Sequence, residues 1–249
     1  MKELKLKKVG KCFKGFWAVR DVTARFLPRK ITGLIGPNGA GKTTIFHLIT
    51  GELIPDKGEI FYGEKSIKGL HPWQVARLGI GRMFQDIRIF KNLSVLENVI
   101  ISLQTPQEET PFYAFFHTKN KKKKEEALKW LEFVGLKDEW RKKSEELSYG
   151  QQKLLALARL LAGNFDVLLL DEPIAGVNPF IAKKILDMLR ELVEKYAKTI
   201  VIIEHNMNVI IEITDWVYFL NEGRVQFFGK PEHVLGAKEV KKVYLGFTK

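Results

Sequence analysis

At 249 residues with 45% apolar content, the chain is long enough to bury the core of one large domain. A single cysteine, Cys12, excludes an internal disulfide and a cysteine-rich metal centre and suits a reducing compartment. The net charge of +12, from 41 basic and 29 acidic residues, allows nucleic acid, an anionic membrane surface or lysine-rich solvated helices, and alone chooses none of them.

Residues 2–35 read as three short strands, Leu4–Val9, Val22–Phe26 and Ile31–Ile35, separated by turn-prone Lys-Gly and Pro-Arg-Lys segments. Between the first two lies the aromatic stretch Phe13–Val19. Phe13 is a candidate to stack on a base or to fill core, and Trp17 reads as core.

After the third strand, Gly36-Pro37-Asn38-Gly39-Ala40-Gly41-Lys42-Thr43-Thr44 satisfies the pattern G-x-x-x-x-G-K-[ST], and the helix-like run Ile45–Ile49 follows it. Residues without Cβ atoms let the backbone turn its N–H groups around an anion, and the following helix presents its positive end to the same phosphates. Lys42 is then placed for the β- and γ-phosphates, Thr43 for Mg²⁺, and Thr44 for the α-phosphate side. Strand before and helix after are the context that separates this motif from a chance glycine-rich turn.

Pro55-Asp56-Lys57-Gly58 signals a turn before a strand at Glu59–Tyr62, followed by a helix at Pro72–Leu78. The strand Ile80–Phe84 delivers Gln85 at its end. From Asp86 to about Ala162 the pattern is mostly helical. Ser94 with Glu97 forms a capping box for a helix to about Leu103. A loop at 104–118 carries Phe112, Tyr113, Phe115 and Phe116, and Lys121–Lys124 opens a helix ending near Gly135. Ser148 caps the next helix, whose apolar body is Leu154–Leu161.

Strands then alternate with helices: strand Val167–Leu170, helix Pro179–Lys195, strand Thr199–Ile203, helix Asn206–Ile213, strands Trp216–Leu220 and Arg224–Phe228, and two short helices over Pro231–Tyr244. Near-continuous apolar strands in this alternation imply a parallel sheet covered on both faces. The strand ending in Asp171-Glu172-Pro173 places one carboxylate, Asp171, for the metal and the next, Glu172, as a general base for water. His205 follows the neighbouring strand and can reach the γ-phosphate region. With the phosphate loop, these residues describe hydrolysis of a nucleoside triphosphate.

From about Leu4 to Phe247 the chain resembles the ABC ATPases, with the pieces in the family's order: Gly36–Thr44 as Walker A, Gln85 as the Q-loop glutamine, Leu147–Gln151 as the signature segment, Val167–Glu172 as Walker B, Ala175–Asn178 as the D-loop and His205 as the switch histidine. The resemblance implies an α/β, RecA-like P-loop NTPase core with an N-terminal antiparallel β subdomain and an inserted α-helical subdomain. As boundaries it implies 1–85 and 163–230 for the core, 86–162 for the helical subdomain and 231–249 for C-terminal helices, all within one ABC ATPase domain. It also implies ATP and Mg²⁺ as ligands, with Thr43, Gln85 and Asp171 at the metal and Lys42, Gln85, Glu172 and His205 in catalysis. A head-to-tail dimer follows, in which Ser148, Gly150 and Gln151 face the nucleotide held by the other subunit.

The usual Leu-Ser-Gly-Gly-Gln signature carries Tyr149 at its third position here. That variant, with Arg82-Met83-Phe84-Gln85, the run Asp171–Pro179, Ile203–Met207 and the ending Tyr244-Leu245-Gly246-Phe247, is most similar to ATP-binding subunits of branched-chain amino acid importers, the LivG type. The lipopolysaccharide-export ATPases resemble the last third but match the signature less well. The expected partners are a second ATPase subunit, the same or related, and integral membrane permeases, with a substrate-binding protein acting indirectly and no nucleic acid. The apolar runs are far shorter than the ~20 residues of a membrane span, and Met1-Lys2-Glu3 does not open a signal peptide, so the expected place is the cytoplasmic face of the membrane. The aromatic loop at 112–116 is expected on the permease side or packed within the helical subdomain. A soluble ABC protein acting on ribosomes or DNA is the alternative class, resting on charge alone; one phosphate loop and no sustained heptads speak against it.

Overall fold

The computed structural model describes residues 2–103 and 121–245, so the aromatic loop at 112–116 lies outside the described residues. The chain divides into two compact units: Met1–Arg82, Asp166–Glu172 and Leu189–Lys249 form the first, and Met83–Phe165 with Pro173–Met188 the second. Residues 173–188, placed with the core in the sequence reading, group with the second unit.

In the first unit, β1 (Leu4–Phe13) and β2 (Phe16–Phe26) form one long hairpin. The expected break over Phe13–Val19 is replaced by pairing of Cys12 with Trp17 and Phe13 with Phe16. Lys14 and Gly15, at φ 47° and 87°, are the whole turn. Two successive positive φ values are what a tight hairpin matched to strand twist requires, and the aromatic residues beside it favour strand. With β4 (Lys57–Tyr62) and β5 (Lys65–Ser66) the hairpin completes an antiparallel sheet in the order β2-β1-β4-β5.

A six-stranded sheet runs in the order β10 (Arg224–Gly229), β9 (Trp216–Asn221), β3 (Ile31–Ile35), β8 (Thr199–Ile203), β7 (Val167–Asp171) and β6 (Ile80–Met83). β3 pairs in parallel with β8 and β9, and β8 with β7, whereas β10 is antiparallel to β9. Every residue of β3, β7 and β8 is buried. That is why these strands read as near-continuous apolar runs instead of alternating, and each fully buried Val, Leu or Ile among them contributes roughly 1.5–3 kcal/mol by leaving water. β10 at the edge alternates exposed and half-buried residues.

One core cluster joins both sheets: Leu4, Leu6, Phe26 and Ile60 from the antiparallel sheet, Leu34, Leu169, Val201 and Leu220 from the six-stranded one, and Ile45, Phe46, Leu48 and Ile49 from α1 (Lys42–Ile49). The helix that begins at the phosphate loop is therefore fixed by its own apolar residues. The remaining helices of this unit are α2 (Pro72–Arg77), with Pro72 at its first turn, α7 (Met207–Ile213), α8 (Pro231–Gly236) and α9 (Lys238–Leu245).

The second unit packs α3 (Val95–Ser102), α4 (Lys121–Val134) and α5 (Tyr149–Ala162) on one another; α6 (Pro179–Glu194) belongs to it as far as Met188. α3 starts at the expected box, with Ser94 Oγ accepting from the Glu97 N–H at 3.2 Å and Glu97 Oε2 accepting from the Ser94 N–H at 2.8 Å. Buried Asn98 donates to the Phe90 carbonyl at 3.0 Å and to Ser144 Oγ at 2.7 Å, and accepts from the Phe90 N–H at 2.9 Å. A buried amide without these partners would cost about 1–3 kcal/mol. The network ties the chain after Gln85 to the turn that leads into Ser148.

Candidate active site

Strand register sets the site. Leu34 lies opposite Ile203, and Ile203 opposite Asp171, so the ends of β3, β8 and β7 form one row. Beyond that row follow Gly36, His205 and Glu172. Ligands of open parallel sheets sit outside these carboxyl ends.

Two glycines of the loop admit no side chain. Gly36 has φ 149°, and a Cβ there would lie 2.1 Å from the Leu220 carbonyl oxygen; at Gly41, φ 99°, it would lie 2.4 Å from that of Ala18. Gly223 N–H donates to the Ala40 carbonyl at 3.2 Å, and Arg20 N–H to the Gly223 carbonyl at 2.7 Å. The loop is thus wedged between the β1–β2 hairpin and the β9–β10 turn. Lys42 is buried, with Nζ donating to the carbonyls of Gly36 at 2.8 Å and Pro37 at 2.9 Å. Burial pulls its ammonium pKa down, while Glu172 and Asp171 act in the opposite sense. α1 opens at Gly41 with no side chain capping it, so the free N–H groups of its first turn belong to Lys42, Thr43 and Thr44. Thr43 is exposed there.

Asp171 is 3% exposed, and its Oδ2 accepts from Arg82 Nη2 at 3.0 Å. Burial pushes its carboxyl pKa up, against the pull of the Arg82 hydrogen bond. Glu172 adopts φ 49°, a left-handed backbone that costs a non-glycine residue roughly 1–2 kcal/mol, and its N–H donates to the Ile203 carbonyl at 3.0 Å. Its Oε1 lies 3.0 Å from His205 Nε2. The first unit therefore brings together Lys42, Asp171, Glu172 and His205. These groups fit a nucleoside triphosphate with its metal: a glycine cradle, an ammonium, and the oxygen donors Asp171 and Thr43 that a hard cation such as Mg²⁺ takes.

A cavity of about 310 Å³ adjoins the loop, lined by Phe16, Trp17, Arg20, Pro37, Asn38, Gly39, Ala40, Asn221 and Glu222. Phe13 is not among these residues; it is 42% exposed, with the Lys11 ammonium 5.7 Å from its ring centre. Trp17 is half-buried, under the Lys57 ammonium at 4.9 Å.

In the second unit, Gln85 is exposed two residues past β6. Ser148 caps α5 reciprocally with Gln151, whose Oε1 accepts from the Ser148 N–H at 3.0 Å and whose N–H donates to Ser148 Oγ at 3.4 Å. A Cβ at Gly150 would sit 2.6 Å from Ile181 Cδ1, and one at Gly176 would sit 3.1 Å from the Tyr149 ring. The unusual tyrosine therefore packs along the Ala175–Asn178 segment. Arg82 and Glu52 were assigned no part in the site by sequence reasoning; the available signal was a guanidinium inside the buried strand Ile-Gly-Arg-Met.

Residues 19–175 match the family described as ABC transporter. Over 240 residues, 94% of each chain, the sequence is 35% identical to the high-affinity branched-chain amino acid transport ATP-binding protein LivG of Escherichia coli K12. The fold superposes on the ADP conformation of an ATP-binding cassette of an ABC transporter with TM-score 0.87 and 34% identity, covering 99% of both chains. A dimeric cassette in a post-hydrolysis state, bound to ADP and Pi, gives TM-score 0.79 at 27% identity, over 92% of this chain and 98% of the other. Together with the glycine cradle, the buried lysine and the paired carboxylates, these similarities show that the chain belongs to the ABC transporter family, as an ATP-binding and ATP-hydrolysing cassette.

Proposed function

We propose that this ATPase drives a branched-chain amino acid importer, as one half of a head-to-tail dimer coupled to membrane permeases and fed indirectly by a substrate-binding protein. The observation that carries the reading is the end-to-end similarity to LivG, which spans the second unit as well as the ATP site. Among the described residues no helix is long and apolar enough to cross a membrane. We place the chain on the cytoplasmic face, held there by its permeases.

Lys42 offsets charge on the β- and γ-phosphate oxygens, and the first-turn N–H groups of α1 bind the same oxygens. Asp171 and Thr43 would hold Mg²⁺, which when bound would neutralise charge on the transferring phosphoryl group, and Gln85 keeps the Q-loop role that the family resemblance gives it. Glu172 orients the attacking water and takes its proton. His205 fixes the Glu172 carboxylate and reaches the γ-phosphate. Phe13 supports the base, and Ser148, Gly150 and Gln151 engage the ATP held by the other subunit.

The test is affinity capture of tagged Glu172→Gln protein with ATP from detergent-solubilised native membranes. Two permease subunits and a second ATPase are the expected companions, and transport assays of the recovered assembly should respond to leucine, isoleucine or valine. Recovery of ribosomal or DNA-bound proteins with no membrane protein would overturn the importer.

A further inference from the structure

The row of strand ends accounts for Lys42, Asp171, Glu172 and His205, but not for the guanidinium buried next to them. The Arg82 side chain is 5% exposed and that of Asp171 3%. Arg82 Nη2 holds Asp171 Oδ2 at 3.0 Å, while Oδ1 accepts no hydrogen bond among the described residues. The guanidinium also lies 5.6 Å from the ring centre of Phe46, and its Nη1 is 3.5 Å from Glu52 Oε1 and 3.3 Å from His47 Nδ1. Glu52 is in turn held by the Thr50 hydroxyl at 3.2 Å and by the His47 ring. The end of α1, whose other end carries Lys42, thus braces Arg82, and Arg82 braces Asp171.

Stability alone explains this poorly, because a buried ion pair gives back most of its attraction as desolvation, and apolar residues of similar volume would serve the fold as well. Partners that orient a metal ligand have a different effect: they fix which oxygen is presented and at what angle. We propose that Arg82 is a positioning residue for the metal, holding Asp171 Oδ2 so that Oδ1 is turned to Mg²⁺, with Glu52 setting the guanidinium in its plane. This inference rests on the reading of Asp171 as the metal carboxylate.

The test uses the full chain and measures ATP-analogue binding, first in EDTA and then across a Mg²⁺ titration, with the Mn²⁺ paramagnetic resonance spectrum of the ADP complex as a second readout. Arg82→Met should leave the affinity in EDTA unchanged, raise the Mg²⁺ midpoint by about 10- to 100-fold and alter the Mn²⁺ spectrum. Arg82→Lys keeps the charge but loses the planar fork, and should fall between. Glu52→Gln should shift the midpoint in the same direction by less. Should Arg82→Met fail to fold, Arg82→Lys and Glu52→Gln carry the test. A normal midpoint and spectrum in the Arg82 variants, while Asp171→Asn shifts both, overturns the positioning role. A normal midpoint in Asp171→Asn overturns instead the metal reading beneath it.

Discussion

His205 Nε2 lies 3.0 Å from Glu172 Oε1, across the boundary between the ends of two neighbouring strands. The contact joins a candidate base to a group that can hold it in place, with Glu172 already constrained by its left-handed backbone. Glu172→Gln should bind ATP normally, lose about 10²- to 10⁴-fold in turnover and accumulate as an ATP-bound dimer in size-exclusion chromatography. His205→Ala should reduce kcat with little change in nucleotide affinity. Normal hydrolysis by Glu172→Gln would remove that residue as the base.

The loop makes a separate prediction. Lys42→Ala should abolish nucleotide binding measured by fluorescence titration, because the loop holds the Lys42 ammonium between two of its own carbonyls, in place for the phosphates. Gly41→Ala should have a comparable effect for a different reason: the added methyl meets the Ala18 backbone, which cannot step aside as a flexible side chain would. A folded Gly41→Ala protein with unchanged affinity would contradict the wedge.

Legibility from sequence followed the reach of each interaction. Asp171, Glu172 and His205 stood out because each ends an apolar strand, and strand ends converge in any parallel sheet. The turn at Lys14-Gly15 was legible, but not that both strands run up to it, because the pairing of Cys12 with Trp17 and of Phe13 with Phe16 is a cross-strand relationship and the run Phe13–Val19 shows no strict alternation. Two partners of Arg82, Glu52 and Asp171, lie 30 and 89 positions away, and no local pattern announces them. The resting place of the Tyr149 ring beside Gly176 is likewise a matter of tertiary packing.

A pH-dependent effect is expected at Ser94. The Ser94 hydroxyl first, and its backbone N–H second, hold the Glu97 carboxyl below the ordinary carboxylate range. A depressed carboxylate contributes stability above its unfolded pKa and loses that contribution as pH falls through its folded one. Ser94→Ala should therefore cost about 0.5–2 kcal/mol at neutral pH and less in acid. Denaturant melts at the two conditions check this, and an equal cost at both would refute the linkage.

Leu169 is fully buried in β7, two residues before Asp171. Leu169→Ala should lower stability by about 2–5 kcal/mol in urea unfolding. A loss well under that range would mean that the surrounding strands collapse into the space.

The wedge around Gly36 and Gly41 also bears on how readily the loop accepts a ligand. Contacts from Ala18, Leu220 and Gly223 hold its backbone from both sides. Fixing a residue's backbone forfeits roughly 1–2 kcal/mol of conformational entropy, and here that loss is incurred when the chain folds, not when a phosphate arrives. The loop is preorganised, so binding free energy that would go into ordering it remains available as affinity.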